Sequence, residues 1–377
     1  MIIKNGILFC DDGIFRESEV KISNGVISEI GESISDSSGE VLPARDCYVI
    51  PGLVDIHTHG AIGADFSDGT PEAIGIIARY LLDRGITSFL GTTMSLPEKQ
   101  LSDICKTAAS FVDIIKPDQA VLRGIHLEGP FFCQKKRGAQ NADYIIDPDI
   151  QMFMRLYETS GKTVRLIAVA PEIKGGLEFI KAATTLCNVS LAHSSSDYET
   201  AGQAFSLGTN HVTHLFNGMN PYNHREPGIV GAAFDSGAYV ELISDGVHIH
   251  PSIVRAVFKM FGDDRVCLIS DSMRACGLAD GQYDLGGQVV TVVGKSATID
   301  NNSLAGSVTS LADCLRRSVE FGVPLTQALK AATINPAKSV GLDSEIGSLT
   351  IGKRADILVL DQDLILKKTI FGGAVIS

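Results

Sequence analysis

Eight short apolar runs rich in β-branched residues recur along this chain of 377 residues, and amphipathic stretches separate them. The runs that we interpret as strands are residues 48–56, 87–91, 122–127, 164–170, 189–192, 211–213, 239–244 and 266–270. Strands that alternate with helices form parallel βα units, because each helix carries the chain back across the sheet. After the first run, Thr70 is a suitable N-cap for a helix that begins at Pro71. Eight such units predict an α/β fold, a (β/α)8 TIM barrel, and an open doubly wound sheet is the alternative.

The two ends of the chain have a different pattern, with short alternating runs typical of antiparallel strands. Asn24 and Gly25 lie between two such runs, which predicts a tight hairpin. Similar segments occur at residues 347–361 and 373–377. We therefore expect residues 1–49 and 346–377 to form one small β-sandwich domain beside a catalytic barrel of residues 50–345.

Polar residues follow six of the eight predicted strands at the point where each strand ends. They are His57 with His59, Glu128, His193, His214, Asp245 and Asp271. Active sites of parallel barrels are built at the carboxyl ends of the strands. These side chains are therefore predicted to meet at one shared mouth.

Histidine and carboxylate at one mouth favour a metal site. His57 and His59 are two residues apart, so in a strand both side chains project to the same side, although such a pair is weak evidence by itself. Imidazole and carboxylate are ligands that Zn²⁺, Fe²⁺ and similar ions prefer. The residues that could together hold one or two divalent ions are His57, His59, Glu128, His193 and His214. The alternative interpretations are a buried salt bridge for Glu128 and hydrogen-bonded core histidines for His193 and His214.

Asp271 follows an apolar strand and is expected to emerge beside the metal. Hydrolysis of an amide needs an activated water, which a metal ion provides by lowering its pKa, and a base that carries the proton to the leaving nitrogen. Asp271 fits the role of that base, and a helix N-cap is its structural alternative.

The charge balance and the cysteines limit the partners of this protein. A formal net charge of −12 disfavours nucleic acid and anionic lipid as partners, and no run of about 18 apolar residues predicts a membrane span. The eight cysteines contain no CxxC pair, and the first twelve residues lack the features of a signal peptide. We therefore expect reduced thiols, a cytoplasmic location and a small-molecule substrate.

The candidate residues belong to motifs that extend along nearly the whole chain. These are residues 51–60 (PGLVDIHTHG), 126–131 (HLEGPF), 192–194 (AHS), 213–219 (THLFNGM), 225–228 (REPG), 244–248 (SDGVH) and 304–307 (LAGS). With them the chain resembles the N-acetylglucosamine-6-phosphate deacetylases of the amidohydrolase superfamily. HLEGPF and THLFNGM are specific to that family, whereas HTHG and the GKRAD segment at residues 352–356 are general to the superfamily.

The resemblance implies a reaction and a set of catalytic residues. Glu128, His193 and His214 would bind the main ion, which could be Zn, Fe, Mn or Co, and Asp271 would accept and donate the proton. Because His57 and His59 are both present, the chain resembles the branch that can hold two ions. The implied reaction is deacetylation of N-acetylglucosamine 6-phosphate in amino-sugar catabolism. The alternatives are the galactosamine epimer, another hydrolase of the superfamily, and a non-catalytic scaffold.

The resemblance also implies substrate contacts. By this resemblance, the residues expected to contact the substrate are Ala139, Gln140, Asn217, Gly218, Arg225, Asp245, Gly246, Val247, His248, Leu304, Ala305 and Gly306. Gln140 departs from the histidine of many relatives, and since an amide carries no proton at neutral pH, this position is expected to orient rather than to catalyse. Arg225 offers a planar donor fork for phosphate, and its loop is expected to reach a neighbouring subunit's pocket in a homodimer. The alternative for Arg225 is a solvated side chain or a pair with Glu226. Glu172 is also predicted to face the mouth, without an assigned role.

Overall fold

The structure is a computed structural model that describes residues 1–35, 39–299 and 303–376. The strands within these residues are β1 (Ile2–Phe9), β2 (Phe15–Ser23), β3 (Val26–Gly31), β4 (Val41–Pro43), β5 (Tyr48–Pro51), β6 (Leu53–Thr58), β7 (Gly60–Ala61), β8 (Ala64–Asp65), β9 (Ile86–Thr92), β10 (Val121–Glu128), β11 (Val164–Val169), β12 (Asn188–Leu191), β13 (His211–Val212), β14 (Tyr239–Ile243), β15 (Val266–Ile269), β16 (Gly281–Leu285), β17 (Gln288–Val293), β18 (Ser296–Thr298), β19 (Ile357–Leu360), β20 (Leu366–Phe371) and β21 (Ala374–Val375). The α-helices are α1 (Pro71–Asp83), α2 (Glu98–Ala109), α3 (Ile150–Thr159), α4 (Gly176–Ala183), α5 (Tyr198–Ser206), α6 (Gly228–Ser236), α7 (Pro251–Phe261), α8 (Leu311–Glu320), α9 (Leu325–Ala332) and α10 (Ile334–Ser339).

Eight strands form the predicted parallel barrel. Their order in the sheet is β6, β9, β10, β11, β12, β13, β14 and β15, and every neighbouring pair is parallel. The barrel closes between β6 and the residues after β15, where Thr58 bridges to Ser272 and the N–H of Asp271 donates to the carbonyl of His57 at 2.9 Å. The predicted TIM-barrel architecture is therefore confirmed. None of the helices in the described ranges is long and apolar enough to cross a bilayer.

The prediction of a single first strand over residues 48–56 is wrong, whereas the other seven agree within one residue at each end. The segment is two strands, because β5 pairs with β1 and β19 in the terminal sheet while β6 pairs with β9 in the barrel. Gly52 separates them, and a Cβ atom there would clash with the side chain of Thr87. Both halves are largely apolar, and the Pro51–Gly52 pair between them was the available sequence signal of the break.

The terminal strands form one sheet in the order β21, β20, β19, β5, β1, β2 and β3, with β4 beside β1. The predicted hairpin joins β2 and β3 with positive φ at Asn24 and Gly25, 52° and 77°. The sheet folds back on itself, since Val26 bridges to Arg354 and the N–H of Ala355 donates to the carbonyl of Gly25. It encloses its own apolar core, separate from that of the barrel. β5 lies across the predicted domain boundary at residue 49, and Ser377 of the predicted last segment is outside the described residues.

Helix α1 shows how the outer layer is attached to the barrel. Thr70 caps the helix as predicted, its hydroxyl accepting the N–H of Ala73 at 3.2 Å. Ile77 and Leu81 are each 1% exposed and belong to the main apolar core with strand residues of the barrel. Burial of each such side chain contributes about 1.5–3 kcal/mol.

A small antiparallel sheet of β16, β17 and β18 follows the last barrel strand, and the sequence interpretation did not include it. Gly286 and Gly287 form the turn between β16 and β17 with φ of 58° and 81°. Gln288 of this sheet donates to the carbonyl of Ala139, so the sheet is fixed to the loop after β10. It therefore covers one side of the barrel mouth.

Candidate active site and metal centre

Three of the predicted site residues have unusual backbone conformations. His193, His214 and Asp271 follow β12, β13 and β15, and their φ angles are 45°, 30° and 47°. Positive φ is uncommon for residues with a Cβ atom and costs about 1–3 kcal/mol at each position. All three are buried. The surrounding structure maintains this strain at the three places where the predicted chemistry is located.

The side chains of Glu128, His193 and His214 converge on one point. Oε1 of Glu128 lies 3.2 Å from Nε2 of His193 and 3.0 Å from Nε2 of His214, and these two nitrogens are 3.1 Å apart. Nδ1 of His193 lies 2.9 Å from the carbonyl oxygen of Lys136. A carbonyl only accepts, so Nδ1 carries a proton, and Nε2 is the nitrogen that faces the cluster.

This set of atoms fits a divalent cation. Ligands about 2.0–2.1 Å from a tetrahedral ion are separated from one another by about 3.3 Å, close to the observed 3.0–3.2 Å. Acceptor atoms held this close repel one another unless a proton or a cation lies between them. The fit rests on these contacts between Glu128, His193 and His214, the three residues that the sequence predicts as ligands of the main ion.

His57, His59 and Asp271 form a second group that shares Glu128. Nε2 of His57 lies 3.4 Å from Nε2 of His59, and Nε2 of His59 lies 3.4 Å from Oε2 of Glu128. Oδ1 of Asp271 is 3.3 Å from His57 and 3.2 Å from His59. Oε1 of Glu128 faces His193 and His214 and lies 3.7 Å from Nε2 of His57, whereas Oε2 faces His59. Glu128 is therefore within reach of both groups of histidines and could contribute to an ion in either group.

The site has a strongly negative potential. Burial by itself would lower the pKa of His57, but the carboxylates of Asp271, Glu241 and Glu128 outweigh burial and raise this pKa to about 9. Burial would raise the pKa of Glu128, yet His57 and the hydrogen-bonded histidines hold it well below its usual value. A pocket that attracts protons this strongly also attracts a divalent cation.

Gln140 is 2% exposed, and besides a long contact with the sulfur of Met94 its side chain makes a hydrogen bond at each end. Its Oε1 accepts the N–H of Ser95 at 2.7 Å, and its Nε2 donates to Oε2 of Glu128 at 2.8 Å. The residue therefore orients the shared carboxylate as well as lining the cavity, a contact that the sequence did not indicate.

A cavity of about 340 Å³ opens above the cluster. His59, Glu128, His193, His214 and Asp271 line it. The predicted substrate residues that also line it are Ala139, Gln140, Asn217, Gly218, His248, Leu304 and Gly306. Its volume is within the range of small-molecule sites.

The remaining predicted substrate residues lie elsewhere. Asp245, Gly246 and Val247 line a neighbouring cavity, although Asp245 reaches the first one indirectly because its Oδ2 is 2.7 Å from Nδ1 of His248. Ala305 is fully buried. Arg225 is exposed and lines a third cavity together with Glu226.

Two buried or half-buried acids have roles that the sequence did not reveal. Glu172 accepts hydrogen bonds from Ser194 and Ser195 at 2.6 Å each, and so supports the loop that begins at His193. Glu241 contacts the ring of His57 at 2.9 Å. A single acid inside the apolar run of residues 239–243 was the available signal for Glu241.

A closed parallel barrel whose carboxyl-end rim brings histidines and acids within reach of one candidate cation position is the arrangement typical of metal-dependent barrel hydrolases. Residues 48–376 match the amidohydrolase family, and the chain belongs to that family.

Individual relatives cover nearly the whole chain. N-acetylglucosamine-6-phosphate deacetylase of Bacillus subtilis (strain 168) is 34% identical over 99% of this chain and 96% of its own. N-acetylgalactosamine-6-phosphate deacetylase of Escherichia coli O157:H7 is 33% identical over 98% of this chain and 97% of its own. Among solved structures, a mutant N-acetyl-D-glucosamine-6-phosphate deacetylase from Mycobacterium smegmatis in complex with N-acetyl-D-glucosamine-6-phosphate superposes with a TM-score of 0.93 at 29% identity, over 100% of this chain and 98% of that one.

Proposed function

We propose that this protein hydrolyses the N-acetyl group of N-acetylglucosamine 6-phosphate, releasing acetate and glucosamine 6-phosphate. The observation that carries the proposal is the single cavity in which the Glu128, His193 and His214 cluster lies beside Asp271. Relatives that bear this activity by name, each covering nearly the whole chain, support the choice of substrate.

Glu128, His193 and His214 would hold the main ion, and His57 with His59 would hold a second one together with Glu128. Zn, Fe, Mn and Co all suit these ligands, with Zn as the first expectation. A bound divalent ion lowers the pKa of water and polarises the amide carbonyl. Gln140 keeps the shared carboxylate of Glu128 in place by its hydrogen bond of 2.8 Å.

Asp271 has the properties that a proton carrier requires. Burial by itself would raise its pKa, but the charge of His57 and the hydrogen bond with His59 lower it, so the side chain is a carboxylate at neutral pH. In that form Asp271 can take a proton from the attacking water at a carboxylate oxygen. It then donates this proton to the departing nitrogen, so that the amine leaves instead of an amide anion.

The phosphate of the substrate needs a positive partner. The described residues that line the cavity include no lysine or arginine. Arg225 lies on an exposed loop outside the cavity of its own chain. We propose that the protein is a homodimer in which this loop reaches the neighbouring site, and that it works in the cytoplasm, where its eight free cysteines stay reduced.

Acetate release from purified protein tests the function. Activity is expected with N-acetylglucosamine 6-phosphate, much lower with unphosphorylated N-acetylglucosamine, and none after removal of metal, with recovery on addition of Zn²⁺. The variant Arg225→Ala is expected to raise KM with a smaller change in kcat, while light scattering reports the dimer. Protein that contains bound metal yet releases no acetate would overturn the proposal. Protein that binds no divalent ion would favour a non-catalytic scaffold instead.

The galactosamine epimer is the second candidate substrate, because the relative from Escherichia coli O157:H7 is 33% identical over 98% of the chain. Comparison of kcat/KM for the two N-acetylhexosamine 6-phosphates under identical conditions decides between them. A higher value for the galactosamine compound would replace the substrate and leave the reaction unchanged.

A further inference from the structure

Glu241 is a charged residue in the middle of a barrel strand. It belongs to β14, whose other residues are tyrosine, valine, leucine and isoleucine, and its side chain is fully buried. An ionised carboxylate in such a place is retained only where donors satisfy its oxygens, because burial removes its hydration. The groups that donate hydrogen bonds to the carboxylate of Glu241 therefore indicate the role of this residue.

Three donors surround the carboxylate, and all come from the candidate metal centre or the strand beside it. Oε2 of Glu241 lies 2.9 Å from Nδ1 of His57 and accepts the backbone N–H of His214 at 3.1 Å. Oε1 lies 3.2 Å from Nε2 of His211. One carboxylate thus contacts one histidine from each candidate ion position, the ring of His57 and the main chain of His214.

We propose that Glu241 is a positioning residue of the metal centre. When the ring of His57 is neutral, the carboxylate keeps its proton on Nδ1, so Nε2, 3.4 Å from Nε2 of His59, would be left to offer its lone pair to an ion. The same carboxylate holds the main chain at His214, where φ is 30°. This inference rests on the metal dependence of the proposed function.

A different interpretation is that Glu241 itself is a ligand. Glu241, His57 and His126 come close enough to hold an ion, and both ring nitrogens of His126 lack a hydrogen-bond partner within the described part of the chain. However, the contact of 2.9 Å between His57 and Glu241 has the length of a hydrogen bond, and Nε2 of His57 is the atom directed toward His59 and Asp271. The positioning role accounts for the contacts of both ring nitrogens of His57.

The variant Glu241→Gln removes the charge and preserves the size of the side chain. Titration of metal-free protein with Zn²⁺ against a competing chelator is expected to show about 10- to 100-fold weaker binding of the least tightly held ion. Co²⁺-loaded protein is expected to show a changed visible absorption spectrum, which a role in packing alone would not alter. Unchanged Zn²⁺ affinities together with an unchanged Co²⁺ spectrum would overturn the inference. The inference would also be overturned if wild-type protein bound a third ion, beyond the two at the Glu128 clusters, and the variant lost only that ion, since Glu241 would then be a ligand.

Glu19→Gln is the matched control. Glu19 is a buried carboxylate of the terminal sheet that accepts the N–H of Ile34 at 2.7 Å and pairs with Lys4. It undergoes the same chemical change away from the barrel mouth, so metal binding is expected to remain at the wild-type level.

A measurement on the unaltered protein remains decisive if the Glu241 variant does not fold. In ¹⁵N-histidine-labelled, metal-loaded protein, the ring of His57, assigned with a His57→Asn variant, is expected to be the Nδ1–H tautomer with a strongly downfield proton. Because coordination at Nε2 by itself places the proton on Nδ1, the downfield shift is the part of the result that reports the contact with Glu241. An Nδ1 proton at an ordinary shift, or the Nε2–H tautomer, would overturn the inference. Neither test needs the deacetylase assay, so an inactive wild type with these metal properties would refute the proposed substrate while the positioning role stands.

Discussion

Replacing Gln140 by leucine tests how much the shared carboxylate depends on its support. Leucine has nearly the same volume but makes neither hydrogen bond, so Glu128 loses a donor at 2.8 Å and the N–H of Ser95 loses its acceptor at 2.7 Å. A hydrogen bond to a charged group contributes about 1.5–3 kcal/mol. Because 1.36 kcal/mol is a factor of ten in rate, the expected loss in kcat/KM is about 10- to 100-fold.

The assay follows acetate release and metal content together. Orientation of Glu128 affects the reaction through the ion, so we expect weaker metal binding and a loss of kcat/KM that excess Zn²⁺ restores in part. The control is Gln203→Leu, the same exchange at an exposed position of α5, with activity unchanged. The reasoning is refuted if Gln140→Leu retains wild-type metal affinity and kcat/KM within twofold.

Three further predictions concern the proton carrier, the metal and the core. Asp271→Asn is expected to lower kcat by about 100- to 10,000-fold while folding and metal content are retained. Steady-state kinetics and metal analysis measure these effects, and near-normal turnover would contradict the role of Asp271. In metal-free protein the neighbouring carboxylates raise the pKa of His57 to about 9, so at pH 7 the ring carries a second proton that an ion must displace. Zn²⁺ affinity is therefore expected to rise with pH up to about 9, and calorimetry in two buffers is expected to show proton release. Heats of binding that do not depend on the buffer would contradict this prediction. Ile77→Ala, at a position 1% exposed, is expected to lower the free energy of unfolding, measured by urea denaturation, by about 2–5 kcal/mol. The control Ile76→Ala, at a half-buried position of the same helix, is expected to lower it clearly less. Equal losses would refute the assignment of the buried face of the helix.

The sequence was sufficient to predict the barrel and the meeting of its site residues, for a physical reason. Parallel strands place their carboxyl ends on one rim, so residues as distant in sequence as Glu128 and His214 come within 3.0 Å of each other once each strand end is located. Strand ends were recognisable because apolar runs stop abruptly at polar residues. Seven strands were located in this way, and the site followed from them.

Other features depend on contacts that no local pattern encodes. The largely apolar run of residues 48–56 belongs to two sheets. Pro51–Gly52 marks the break, but the assignment of the first half to the terminal sheet depends on pairing with β19, roughly 300 residues later. The hydrogen bond of Gln140 to Glu128 and the donors around Glu241 are likewise tertiary contacts. The Gly286–Gly287 turn was a readable hairpin signal that the sequence interpretation did not use.

Because β5 lies between β1 and β19 in the terminal sheet, one of its two partners is synthesised long after β5 itself. β5 emerges early, whereas its second partner follows roughly 300 residues later, which corresponds to about 15–60 s at ordinary translation rates. For all of that time one side of β5 has exposed N–H and C=O groups and the apolar side chains of Val49 and Ile50, a template for aberrant pairing with other nascent chains. Once β19 has emerged and paired with β5, this hazard is removed. A chain released from a ribosome that stalls before β19 is therefore expected to aggregate, although every barrel strand has already been synthesised.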